Sequence, residues 1–486
     1  MPRFRPVPLI LAALALGACE RRPDDVPVVV STVGPPGVPS LPARPGNPLD
    51  LPDAMLTAAT AQGLVGFDAA GQVEPGLAER WIIIDGGRSY IFRLREAEWG
   101  NGERVTARAV VRGLRRAIAN PRNPLAPHLS AIDEVVEMTP LVIEVRLSRP
   151  RPDLLPLFAR PELAVPGPEG GSGPFRIAER GRSDLLLRPV LDNIDPEDAE
   201  APIDPARLVR LRAERAASAI LRFRARESDM VTGGGLDDWP LVLLADVPRP
   251  NRRIDPAHGL FGLRVARRQG FLETAAGREA VAMAFDRTAM TRSIAEQWAP
   301  SETILPGQLD SAAAPARASW LSFDLDARRT AAQVRVAEWR AANGGQPPRL
   351  TIAMPDGPGS KRLAAALIAD LASIGVLARR VAADAPADLR LVDRVAPYDS
   401  ARWYLRNACQ PCAASIAARL DRARAATDLT ERSRLLAQAD AMLARDVAFI
   451  PLAHPLRWSL VALRLREWQG NSRAWHPLNH LRAAPN

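Results

Sequence analysis

The sequence predicts an α/β fold on three observations. Residues 350–354, 361–374 and 376–381 read as strand, helix and strand, a spacing that calls for a right-handed crossover and a partly parallel sheet. Residues 81–84 and 90–94 are β-branched and aromatic runs on either side of Asp85-Gly86-Gly87, a tripeptide that tolerates the positive φ of a tight hairpin. Thr106 then offers a hydroxyl to cap a helix, because Val110, Val111, Leu114, Ala117 and Ile118 keep helical spacing and Asn120-Pro121 stops the run.

Earlier in the chain, Arg3 and Arg5 precede an apolar run over residues 8–16. Crossing about 30 Å of hydrocarbon takes roughly twenty apolar residues, so this run reads as an export signal and not as a membrane helix. It ends in Leu16-Gly17-Ala18-Cys19, which resembles the lipobox of bacterial lipoproteins. That resemblance makes residues 1–18 a signal peptide, Cys19 a lipid anchor and residues 19–27 a lipidated tether. An ordinary secretory signal with an incidental cysteine is the competing reading, and Glu20 leaves inner or outer membrane open. Residues 28–32 follow as a strand entered through Pro27, and residues 34–48 form a linker rich in Pro and Gly.

A chain of 486 residues can hold two or three domains, and 24% charged side chains is ordinary for a folded protein. The formal charge of +9 falls to +7 when Arg3 and Arg5 leave with the signal, and Lys361 is the single lysine. The arginines are scattered along helices beside acidic residues, with no basic run interleaved with aromatics, so nucleic acid is not an expected partner. No Ser-His-Asp spacing, nucleophile elbow or His-Glu-x-x-His motif is present, and neither catalysis nor a cofactor is expected. Metal binding is not expected either: His476 and His480 are four apart, but Pro477 breaks the helix that would align them.

GLVGFDAAGQVEPGLAERW, the hairpin ending SYIFRLREAEWGNGERVTA and the helix AVVRGLRRAI resemble, in that order, the family 5 solute-binding proteins of bacterial ABC importers, the oligopeptide, dipeptide and nickel receptor family. The resemblance implies a two-lobed, periplasmic-binding-protein-like (type II) fold with mixed sheets, a hinge and a small additional N-terminal α+β subdomain. Residues 28–48, 166–260 and 462–486 would form lobe I, residues 49–165 its small subdomain, and residues 261–461 lobe II. It implies further that a peptide-like or other small solute is captured in an interlobe cleft and handed to an ABC permease in the inner membrane. The expected molecule is a monomer, lipid-anchored on the periplasmic side of a Gram-negative-type cell. Such a receptor works through the different affinities of its open and closed states, not through bond chemistry.

The likeness continues downstream with departures. Gly171-Ser172-Gly173-Pro174-Phe175 is similar to the family's Gly-Thr-Gly-Pro-Tyr segment and reads as a turn. Residues 220–231 resemble the family's strand and following turn, keeping Asp229 but placing Arg226 where glycine is usual. Arg264 stands in place of an asparagine at the crossing into lobe II, and Asp286 is expected to cap a helix running to Trp298. Residues 141–147 and 388–392 are expected strands, and residues 326–343, 411–425 and 430–446 expected helices.

In the resembled family the loop after the first strand faces the ligand, as does the loop beyond the strand that matches residues 388–392. Val33 and Gly34 thus become candidates for backbone contacts, with a plain exit turn as the alternative. Arg402, Trp403, Tyr404 and Arg406 combine flat aromatic surface with guanidiniums able to grip a carboxylate in bidentate fashion. The same four residues also fit a short helix with its aromatics in the core and its arginines solvated. Cys409 and Cys412 make CQPC, whose expected state in an oxidising compartment is a local disulfide, with thiol redox or metal roles as alternatives. Two other functions compete with the receptor. One is a transport-inactive interaction or sensing protein on the same scaffold, favoured by the scarcity of tyrosine and the altered glycine and asparagine positions; the other is a thiol redox protein using Cys409 and Cys412.

Overall fold

The computed structural model describes residues 23–190 and 203–482. Residues 1–18, expected as a signal peptide, and Cys19, expected as a lipid anchor, lie outside them.

Strand Val28–Val33 sits in the middle of a seven-stranded sheet, pairing in parallel with Val209–Glu214 on one side and Met230–Gly234 on the other. Its VVVSTV run is buried almost throughout, as a strand covered on both faces must be. The two buried hydroxyls are satisfied: Ser31 Oγ donates to Glu214 at 3.0 Å and Thr32 Oγ1 to the Arg212 carbonyl at 2.7 Å. Helix Leu51–Thr60 covers this sheet through Met55, Leu56 and Ala59. The apolar face of this helix, within the span 49–165 expected as the small subdomain, packs on the large sheet.

A second sheet of five strands has the order Leu377–Val381, Arg349–Ala353, Leu389–Val395, Gly259–Val265, Phe449–Ala453. The first three are parallel, joined by the crossover helix Pro358–Ser373, and the last two pair antiparallel. The third sheet is an antiparallel four-stranded one, of Ala78–Ile84, Ser89–Leu94, Val142–Leu147 and Ile132–Thr139, covered by helix Ala107–Ala119. Its hairpin closes as the sequence predicts, with φ of 53°, 62° and 91° at Asp85, Gly86 and Gly87. Gly87 is needed for a second reason: a Cβ there would lie 2.7 Å from the Pro152 nitrogen. The helix cap is also the predicted one, with Thr106 Oγ1 accepting from the Ala109 N–H at 3.3 Å, a contact worth about 1 kcal/mol.

Two segments link the large sheets, and they run side by side. Strand Arg252–Ile254 pairs with Trp458–Val461 in the seven-stranded sheet, and the continuation of each, Gly259–Val265 and Phe449–Ala453, pairs in the five-stranded one. Between them, Asp255 donates its N–H to the Arg457 carbonyl at 2.9 Å. The second crossing therefore falls at residues 454–457, and residues 458–461, expected with lobe II, belong to the first sheet because their backbone is paired there.

Two local expectations change. The helix that Asp286 caps, through an N–H of Ala289 at 2.9 Å, is Arg287–Ile294, and it stops before Trp298 because Ala295 is extended and Trp298 turns inward to donate to the His454 carbonyl at 2.7 Å. Residues 220–231 begin as the end of helix Ala216–Arg224, not as a strand, and the turn after it keeps the left-handed backbone of a glycine, with φ of 62° at Arg226.

Asp229 closes the molecule's two ends together. Its carboxylate takes the Nε and Nη2 protons of Arg464 at 2.8 and 2.7 Å and the N–H of Val29 at 2.8 Å, all away from solvent. Arg464 also donates to the carbonyls of Pro23 and Pro27. Replacing Asp229 by Ala strands a buried guanidinium, so urea unfolding is expected to show a loss of about 3–5 kcal/mol, much of it recovered when Arg464 is changed to Leu in the same chain.

Candidate functional site

The cleft between the two large sheets holds a cavity of about 590 Å³, within the range of roughly 300–1,000 Å³ usual for small-molecule sites. One wall is the loop after strand Met230–Gly234. Gly233, with φ of 85°, Gly234 and Gly235 let this loop pass close beneath Trp458, whose indole occupies the space a Cβ on Gly234 would take and donates from Nε1 to the Gly235 carbonyl at 2.9 Å. The loop thereby carries Asp237 to the start of helix Pro358–Ser373. The Ser360 N–H donates to Asp237 Oδ1 at 2.8 Å, and the helix, whose own N-cap is Gly357 without a side chain, is capped from the other sheet.

The opposite wall comes from the five-stranded sheet: Arg264, Arg390, Val392, Asp393 and Arg394, with Asn407 beyond them and Arg457 at the crossing. Burial pushes the Asp393 carboxyl up, while Arg457, with Nη1 2.9 Å from Oδ1 and 3.1 Å from Oδ2, opposes that shift. Across the cavity, burial and then the neighbouring Asp237 push Asp238 up as well. Such a wall offers charge and hydrogen bonds and no nucleophile with an adjacent base. Among the described residues no group of three or more His, Cys, Asp or Glu is placed to hold a metal ion.

The residues singled out from sequence lie elsewhere. Gly34 gives its N–H to the Glu214 carbonyl at 3.0 Å, and Val33 packs half-buried against the core, so neither lines the cavity. Residues 401–408 form a helix, Ala401–Ala408, whose apolar face turns inward. Trp403 and Tyr404 are consequently buried as a T-shaped pair 4.9 Å apart. This is the core alternative, and neither lines the cavity. Arg402 is buried too, where that alternative has it solvated; it borders a separate 20 Å³ void, room for about one water. Arg406 is exposed, with Nη1 3.7 Å from Cys412 Sγ. Cys409 and Cys412 are joined as a disulfide. The missed wall residues did leave signals: the TGGGLDD run, the Arg264 departure, and Arg390 and Arg394 alternating on one strand.

The small void sits where the four-stranded sheet meets helices Ala401–Ala408 and Leu429–Asp446, among Arg151, Asp153, Tyr398, Arg402 and Arg432. Here His128 Nδ1 is 3.3 Å from the Tyr398 hydroxyl. Burial first, and then the charge of Arg402, pushes His128 down to about 4 from an ordinary 6.5.

Two connected lobes around a charged cavity define the class of two-lobed binding proteins. The chain belongs to the bacterial extracellular solute-binding proteins, family 5, whose middle region matches residues 72–385. The probable deoxycholate-binding periplasmic protein YgiS of Escherichia coli is 46% identical over 72 residues, 14% of this chain and 13% of its own length. The periplasmic oligopeptide-binding protein OppA of Salmonella typhimurium is 24% identical over 326 residues, 59% of this chain and 58% of its own. The chain thus spans 13% and 58% of the length of these two relatives. Among solved structures, the murein tripeptide-binding protein MppA of Escherichia coli aligns with a TM-score of 0.72 at 17% identity, over 94% of this chain and 98% of that one. NikA of Brucella suis, in complex with Fe(III)-EDTA, aligns at 0.71 and 19% identity, over 93% and 99%. At these identities the likeness is one of fold.

Two predictions follow the geometry. Between about pH 4 and 6.5 the unfolded chain binds a proton at residue 128 that the folded one refuses, so stability falls as pH drops through that window. Urea unfolding near pH 5 should show on the order of 1–2 kcal/mol less stability than near pH 7 from this residue, a difference absent in His128→Gln. The disulfide closes a short loop, of sequence separation 3; replacing both cysteines by Ser is expected to lower stability by about 2 kcal/mol, measured without reductant.

Proposed function

We propose that this chain is the extracytoplasmic receptor of an ABC importer, taking a peptide-like or other small solute into the interlobe cavity and delivering it to a permease. The observation that carries this reading is the cavity with its two walls on separate sheets, joined by two adjacent extended crossings. A rotation at residues 255–258 and 454–457 opens such a cleft without unpairing either sheet. Lobe I is then the seven-stranded sheet with its helices, the four-stranded sheet its small subdomain, and lobe II the five-stranded sheet with the helices that follow. Peptide-like cargo is supported by the names of relatives such as OppA and MppA. In this reading Cys19 is the lipid anchor, the protein is a monomer on the periplasmic face, and capture proceeds without bond chemistry. Among the described residues no helix is long and apolar enough to cross a membrane.

The hydrogen bond from Ser360 to Asp237 spans the cleft and favours the closed state. In Asp237→Ala, X-ray scattering of the unliganded protein should report a larger radius of gyration, and solute affinity should weaken about tenfold. Native mass spectrometry of the wild-type protein taken gently from cells should show a co-purified small molecule. A protein that is empty, and whose scattering does not change with a diverse peptide mixture, would sink the receptor reading.

A further inference from the structure

Three guanidiniums crowd one wall of the cavity: Arg264 on strand Gly259–Val265, and Arg390 and Arg394 on strand Leu389–Val395. Arg264 and Arg390 are direct cross-strand partners, and Arg394 lies two pleats further along, so the three share a face. Like charges placed opposite one another destabilise a strand pair. Burial first, and then Arg394 and Arg390, hold the Arg264 guanidinium below its ordinary value.

None of the three forms an ion pair with a carboxylate among the described residues. Arg264 Nη1 donates to Gln410 Oε1 at 3.1 Å, while its buried Nε has no hydrogen-bond partner among them. Arg390 donates to the carbonyls of Ala383 and Ala385, and Arg394 to Asn407 Oδ1 at 3.1 Å. The acids that line the same cavity are engaged or distant in role: Asp393 pairs with Arg457, and Asp237 caps the helix across the cleft. That leaves Asp237 and Asp238, on the opposite wall, as two carboxylates against three guanidiniums. The Ser360 hydroxyl, fully buried and without a partner among the described residues, adds a donor at the positive end of helix Pro358–Ser373.

We infer that the solute is an anion carrying two or more carboxylate groups, an acidic peptide or a free polycarboxylate, gripped by Arg264, Arg390 and Arg394. This rests on the receptor reading above and names its cargo class. Repulsion among the three arginines is relieved only when the anion arrives, so binding and closure are coupled through charge.

Calorimetric titration of the mature chain, stripped of bound solute, with triglutamate, citrate, trialanine and trilysine tests it. Triglutamate or citrate should bind at least about tenfold more tightly than trialanine, with trilysine weakest, and the margin should shrink as salt is raised. Arg264→Gln and Arg390→Gln should each remove most of that margin. Tighter binding of triglutamate assigns the anion to a peptide, and tighter binding of citrate to a free polycarboxylate; either supports the inference. Arg264→Gln should also raise the Tm of the unliganded protein, and a lowered Tm would make these arginines structural and overturn the proposal. Equal affinity for trialanine and triglutamate overturns the anionic class and leaves the receptor standing. Silence of all four probes in a protein that carries a neutral co-purified solute does the same, whereas silence in a protein that carries none overturns both.

Discussion

The antiparallel pairing of segments 252–265 and 449–461 is the constraint on which the rest of the structure depends. Each segment leaves one large sheet and enters the other, and because they are neighbours in both sheets, the chain crosses between the two large sheets at a single place. A backbone pair of this kind resists shear and splaying, since every ladder bond would have to break, but it bends easily where the ladder is interrupted. The interruption is at residues 255–258 and 454–457, where the contacts pass to the C-terminal segment: Asp255 accepts the Asn471 N–H at 3.0 Å, and His258 donates its N–H to the Ser472 carbonyl at 2.7 Å. The last stretch of the chain is therefore a brace on the hinge.

Around that crossing, glycine and tryptophan do the positioning. Gly234 admits the Trp458 indole, Trp458 holds the Gly235 carbonyl, and the loop so fixed ends in Asp237, which caps a helix of the facing sheet. The cavity wall is thus built by residues whose first effect is on backbone shape, and the charged side chains are set by that shape. The apolar core shows the same continuity across the cleft, since Val231, Trp239 and Trp458 belong to one buried cluster with Phe261, Leu363 and Ile450. The two sides of the cleft are held by this packing and by hydrogen bonds such as that from Ser360 to Asp237.

Much of the fold was legible in local signals. The hairpin at Asp85-Gly86-Gly87, the Thr106 cap with its helical stripe, and the strand, helix, strand run around helix Pro358–Ser373 each rest on interactions between residues near in sequence. The candidate site was far less legible. Trp403 and Tyr404 have the chemistry of a ligand platform, but whether an aromatic meets solute or core depends on which helix face turns inward, and that is decided by neighbours distant in sequence. Arg402 lies in the same helix and is buried for the same reason. Conversely, Asp237, Ser360, Arg264 and Arg390 come from four separate segments, and nothing in any one of them reports the others.

The sequence by itself determined the class of fold, the family likeness and several of the turns and caps, such as Asp85-Gly86-Gly87, Thr106 and Asp286, because these follow from periodicity, from backbone preference and from residues close along the chain. Only the tertiary structure decided where the crossing between the large sheets falls, which side chains face the cleft and which charges stand unopposed there. Strand register made the last of these choices: pairing position 264 with 390 puts two guanidiniums side by side on the wall of the cavity, and a one-residue slip would have turned one of them to the other face.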